Sequence, residues 1–125
     1  MIIEAWAPTF DECLAEAVAA LTDSYASASN AGPAGGHTFH LTTRSREQAL
    51  VAVLEEALYV LDVRGAVVVA AHLETGNGTS VSGWFDLARV DESRLVGSVP
   101  KGISLSGLYI QDTGRGWRCS ATVDV

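Results

Sequence analysis

The closing residues, WRCSATVDV (Trp117–Val125), constrain the fold more than any other stretch of the chain. Trp117, Cys119, Ala121, Val123 and Val125 fall on one side of an extended backbone, and Arg118, Ser120, Thr122 and Asp124 fall on the other. A strand patterned this way belongs at a boundary between apolar core and water. The segment before it, KGISLSGLYI from Lys101, leads into QDTGRG and has the length and the glycine-containing turn of a hairpin partner. The hairpin also brings the Asp124 carboxylate beside the terminal carboxylate of Val125, an acidic pair at one strand end.

The preceding elements follow from the same reasoning. Ile2–Ala7 reads as a short strand stopped by Pro8. Thr9 with Glu12 three residues on fits a capping box, and Asp11 and Glu12 suit the positive end of a helix dipole. Phe10, Cys13, Leu14, Ala17, Val18 and Leu21 recur at helical spacing, which predicts a helix ending between Leu21 and Tyr25. Ala26–Gly36 is small and Gly/Pro-rich, a loop in composition. His37–Thr43 reads as a strand, on which His37 and His40 point to opposite faces and are badly placed to share a metal.

Ser45 and Gln48 open a second helix in the manner of a capping box. Ala49, Leu50, Val53, Leu54, Ala57, Leu58 and Leu61 form its apolar face, with Glu47, Glu55 and Glu56 at or beyond the border as solvated acids. Gly65 is placed to cap the helix. Ala66–Leu73 then has strand length and composition. A turn at Gly76–Gly78 joins it to Ser80–Leu87, where Val81, Gly83, Phe85 and Leu87 alternate against Ser82, Trp84 and Asp86. Arg89–Pro100 is a polar connection. No repeat or linker divides the chain. The expectation is a single α+β domain over residues 1–125, with two helices packed on one face of a mainly antiparallel sheet.

Composition narrows the function classes. No apolar run approaches the roughly 18 residues of a membrane span, and the N-terminus lacks the basic and apolar regions of a secretory signal, so a cytoplasmic location is expected. A net charge of −7 argues against a large sequence-independent contact with nucleic-acid phosphates and leaves binding to a basic protein or a cation open. Cys13 and Cys119 both fall on apolar faces, as buried free thiols do. The chain has no GxSxG, P-loop, GxGxxG, HExxH or CxxC signature, so no catalytic residue is assigned and an enzyme is not expected. His72 lies on an apolar strand, as a satisfied sheet residue, and Lys101 is a strand-end lysine. The acidic pair at the C-terminus would suit calcium or another divalent cation if a neighbouring strand supplied further oxygen.

Three stretches together resemble the archease family, and the resemblance spans nearly the whole chain. IEAWAPTFDECLAEAV is similar to the family's first strand and helix. SREQALVAVLEEALYVLD is similar to its second helix, usually D-x-E-x-L-L-x-x-W-L-x-E-L-L-Y, with Glu47, Leu50, Leu54, Glu56, Leu58 and Tyr59 on matching positions. VPKGISLSGLYI followed by WRCSATVDV resembles the family's lysine strand and terminal v-D-v/i, which puts Lys101 on the family lysine and Asp124 on the family aspartate.

The resemblance implies an archease-like fold and an accessory role. Such proteins activate RtcB-type RNA ligases, promoting ligase guanylylation and turnover in tRNA splicing or RNA repair, and the chemistry belongs to the partner. It implies a working edge of Lys101, Asp124 and Glu47, and a metal site containing Asp124 and Val125. The family's H-x-A-D segment, whose Asp joins the C-terminal Asp as a ligand, belongs just before the first strand, where the given sequence starts at Met1: either the start is truncated or that ligand is lost. Ser45 replaces the second-helix Asp, Val53 the Trp, and Ser106 the His of the lysine strand. These departures leave an alternative: a binding or chaperone module on the same fold, without metal or ligase role.

Overall fold

The structure, a computed structural model, describes residues 1–26, 32–76, 80–90 and 98–125. Its elements run β1 (Ile2–Ala7), α1 (Phe10–Asp23), β2 (Pro33–Thr42), α2 (Arg46–Arg64), β3 (Ala66–Gly76), β4 (Ser80–Arg89), β5 (Gly102–Asp112) and β6 (Trp117–Asp124). Every strand pairing is antiparallel. The strands divide into two three-stranded sheets, ordered β1-β6-β5 and β2-β4-β3. Alternation along a strand reports which face it buries but not which neighbour it pairs with, so the division of the sheet is a property of the tertiary fold.

Local signals set both helix starts. The Thr9 hydroxyl accepts the Glu12 amide at 3.1 Å, and the Ser45 hydroxyl accepts the Gln48 amide at 3.0 Å. The Gln48 side chain reaches one residue past the cap and accepts the Arg44 amide. Gly65 ends α2 at φ 60° and ψ 38°, the left-handed conformation that glycine adopts without steric cost.

The helices bury Cys13, Leu14, Ala17, Val18 and Leu21 from α1, and Ala49, Leu50, Val53, Leu54, Ala57 and Val60 from α2. Val60, seven residues past Val53 on the same stripe, is buried too, whereas Leu58 and Leu61 are only half-buried; α2 touches β5 of one sheet and β3 and β4 of the other. Likewise α1 touches β1 and β6 of one sheet and β3 of the other. Both helices therefore bridge the two sheets, and the buried residues form one continuous cluster. Tyr25, just past α1, is only 1% exposed.

Two boundaries differ from the sequence expectation. β2 begins at Pro33, inside the glycine-rich stretch, and not at His37. Pro33 pairs with Ala88, a bulge intervenes before Gly36, and the Arg64 guanidinium donates to the Gly36 carbonyl at 2.8 Å. Glycines carry no alternation to read, so this part of the strand, held by backbone, cation and the half-buried Ala34, has no periodicity to reveal it. β3 and β4 extend to Gly76 and from Ser80; the turn expected at Gly76–Gly78 falls mostly outside the described residues, as does much of the Arg89–Pro100 connection.

Gly83 occupies the buried row between Leu73 and Phe39, where a Cβ would lie 2.1 Å from the His72 carbonyl oxygen. Gly83→Ala should therefore lower stability by about 1–3 kcal/mol, as overpacking does. Gly102→Ala, which meets nothing within 4 Å, should stay within about 0.5 kcal/mol of the parent. Urea denaturation midpoints compare the two.

Burial pushes the Tyr25 phenol up from 10.0 to about 12 and the Cys119 thiol up from 9.0 to about 12. Unfolding restores the ordinary values, so with rising pH the unfolded chain releases these protons first. Stability from these groups should be intact below pH 9 and should fall between pH 9 and about 12. Denaturation midpoints across that range check it, and Cys119→Ala should make the early part of the fall shallower.

Candidate functional site

The strand register builds one end of the first sheet from three distant parts of the chain. Gly102 is paired with Asp124, and the Lys101 amide donates to the Asp124 carbonyl at 2.7 Å. On the other side of β6 the Val123 amide donates to the Met1 carbonyl at 2.6 Å, and the Met1 ammonium donates to the Val123 carbonyl at 3.1 Å. Lys101 and Asp124 thus lie side by side, both exposed, with the first residue next to them. Ser106 sits in the irregular part of β5, where its carbonyl accepts the Thr122 hydroxyl at 3.1 Å.

Glu47 is exposed in the first turn of α2. It makes no hydrogen bond or ion pair with another described residue, Lys101 and Asp124 included, and its neighbour Arg46 lies over Trp117, at the other end of β6 from Asp124. The structure brings Lys101 and Asp124 together and leaves Glu47 apart from them.

Among the described residues, no group of three or more His, Cys, Asp or Glu could hold a metal ion. At the sheet end the donors are the Asp124 carboxylate and the terminal carboxylate of Val125, which is itself exposed. Calcium takes about six to eight oxygens. These residues by themselves do not fit a calcium ion.

The histidines have partners that spacing alone does not reveal. His37 Nε2 lies 2.6 Å from Glu56 Oε1, with only 17% and 20% of the two side chains exposed. Glu56 is therefore not a solvated acid but a pin between α2 and β2, and the His37 ring is packed among Phe39, Tyr59 and Phe85. His72, expected on an apolar strand, instead points outward. It bonds Asp86 Oδ2 at 2.9 Å and stacks on Trp84 with ring centroids 4.5 Å apart. His40 Nδ1 contacts Ser82 Oγ at 2.5 Å on the same exposed face. The alternation of β4 already sets Trp84 and Asp86 on that face; the bulge between Val68 and Ala70 then sets which β3 residues stand opposite them. Cys13 and Cys119 are buried and free, as their apolar positions imply.

The whole chain, residues 1–125, matches the archease protein family (MTH1598/TM1083). It is 39% identical over 126 residues to a probable archease from Mycobacterium tuberculosis, covering 98% of this chain and 68% of that protein. Its fold is similar to the solution structure of protein 1598 from Methanobacterium thermoautotrophicum, with a TM-score of 0.79 at 16% identity, covering 99% of this chain and 91% of that one. It is similar also to an archease from Thermotoga maritima described as a possible chaperone, with a TM-score of 0.71 at 13% identity, covering 100% and 90% of the two chains. The shared order of two helices and six strands, the match over the full chain and the identity to the mycobacterial protein agree: this chain belongs to the archease family.

Proposed function

We propose that this protein is an accessory factor that binds an RtcB-type RNA ligase and promotes its guanylylation and turnover in tRNA splicing or RNA repair. The observation that carries this reading is the Lys101–Asp124 backbone bond of 2.7 Å, which holds the two residues that match the family's closing motif beside each other at an exposed sheet end. An ammonium and a carboxylate presented together can pair with opposite charges on a partner without themselves carrying out chemistry. Membership of the archease family and the net charge of −7, suited to a basic ligase surface, support it. Glu47 would meet the partner as a separate contact from α2. The proposed setting is the cytoplasm; none of the described helices is long and apolar enough to cross a membrane.

The thin donor set at the sheet end favours a second reading, in which the fold binds its partner as a chaperone and does not accelerate it. The two are separated by single-turnover guanylylation of the cognate ligase with GTP. The accessory reading expects a faster rate on adding this protein. Asp124→Ala should reduce the acceleration strongly while Glu55→Ala, on the exposed side of α2, leaves it unchanged. Equal losses would remove the site assignment, and binding without any acceleration would leave the chaperone reading.

Calcium affinity follows from the donor count. Calorimetric titration of this chain should give binding no tighter than about 10⁻⁴ M, since ligand number and charge set calcium affinity. Micromolar binding that disappears in Asp124→Ala would show that further donors complete the site.

A further inference from the structure

The end of the first sheet away from Asp124 carries a second, differently charged feature. A pocket of about 780 Å³ opens between the end of β1 and the turn leading into β6. Trp6 and Arg118 are opposed across the β1–β6 ladder, and Thr113 and Arg115 stand on the turn. That turn is well tied. The Thr113 amide donates to the Gly116 carbonyl at 2.8 Å, and the Gly114 amide donates to Asp112 Oδ1 at 2.8 Å. Gly116, at φ 146°, lets the turn approach β1 closely, since a Cβ there would lie 2.7 Å from the Ala7 carbonyl oxygen.

The two tryptophans of the pocket differ. Trp117 is fixed in place: Phe10 packs edge-on at 5.2 Å, and the Arg46 guanidinium sits 4.9 Å from its ring centroid. Trp6 is 71% exposed and stacks on no other ring among the described residues. Arg115 and Arg118, two of only eight Lys and Arg residues in a chain of net charge −7, line this pocket with Trp6, and Arg46 holds Trp117 from the helix side. Glu4 lies 3.7 Å from Arg118, and both side chains are half exposed, so the pair is weak in water; the turn's own acid, Asp112, is engaged with the Gly114 amide. The Arg115 side chain makes no hydrogen bond to a described residue, which leaves its donors available.

We propose that this pocket binds a nucleotide, with the base stacked on Trp6 and the phosphate held by Arg115 and Arg118. Every base has a face that an exposed indole can stack on, and a guanidinium matches phosphate oxygens with paired N–H groups. The pocket volume lies within the usual range for small-ligand sites. Arg118 and Asp124 are separated by about 20 Å at roughly 3.3 Å per residue along β6, so the pocket is independent of the edge assigned to the ligase. The overall negative charge opposes tracking along a nucleic-acid strand, but one nucleotide needs only local cations. A free nucleotide and the terminal nucleotide of a single-stranded RNA present the same chemistry.

The test is titration of the isotopically labelled protein with guanosine monophosphate, ribose 5-phosphate and a short single-stranded RNA with or without a terminal phosphate, followed by NMR. The proposal expects shifts in the Trp6 indole and the Arg115–Arg118 amides, with the Trp84 indole unmoved. Trp6→Ala should weaken binding about tenfold, within the range measured for base–aromatic stacking. Arg118→Ala should weaken it and flatten its salt dependence, whereas Glu4→Gln, which releases Arg118, should tighten it. Stronger binding of the monophosphate supports a free nucleotide as ligand, and stronger binding of phosphorylated RNA supports a strand end. Absence of shifts at millimolar concentrations of all probes would overturn the proposal. So would shifts centred on Trp84 or Asp124, ribose 5-phosphate binding as tightly as the monophosphate, or affinities unchanged in both Trp6→Ala and Arg118→Ala.

Discussion

The pairing of β1 with β6 is the constraint on which the rest of the structure depends. It joins the two ends of the chain, with Ile2 opposite Thr122 and Ala7 opposite Trp117. It makes β6 a central strand, hydrogen-bonded to β1 on one side and β5 on the other. Long-range pairing of this kind carries the loop-closure cost of the intervening chain, which is offset only when the buried face also finds a core. Ile3 and Ala5 from β1 and Cys119, Ala121 and Val123 from β6 supply that face, and α1 lies against both strands. The same pairing decides what is built at each end of the sheet.

The two sheets share no strand, and the helices bind them into one unit. α1 and α2 each contact strands of both sheets. The His37–Glu56 pair adds a polar tie between α2 and the second sheet, and Arg64 adds another from the end of α2 to β2. The first is set among the rings of Phe39, Tyr59 and Phe85, and the second holds the glycine-rich start of β2.

β6 then separates two chemistries along its length. Its end presents Asp124 beside Lys101, and its beginning presents Arg118 opposite Trp6. Because outward residues alternate, both belong to the face turned away from the core, and neither costs core volume. A protein of net negative charge thereby sets arginines at one end of the sheet and Asp124, Val125 and Lys101 at the other.

Much of the fold was legible in the sequence because it depends on local chemistry. The caps at Thr9 and Ser45, the left-handed Gly65, the stripes of both helices and the alternation of β4 and β6 are each set by neighbours within a few residues. The closing motif placed Lys101 and Asp124 in the same hairpin, and their contact needed only the register of that hairpin. What spacing could not supply was partnership across the fold. Glu56 looked like a solvated acid until β2 brought His37 to it, and Arg46, 71 positions before Trp117 in the chain, reaches that ring only through packing of α2. Sequence periodicity determined which face of each element is buried, because that is a property of side chains along one segment. The division into two sheets, the start of β2 at Pro33 and the placing of Arg115 and Arg118 beside Trp6 were decided by tertiary structure, because they depend on which segments the backbone ladders bring together.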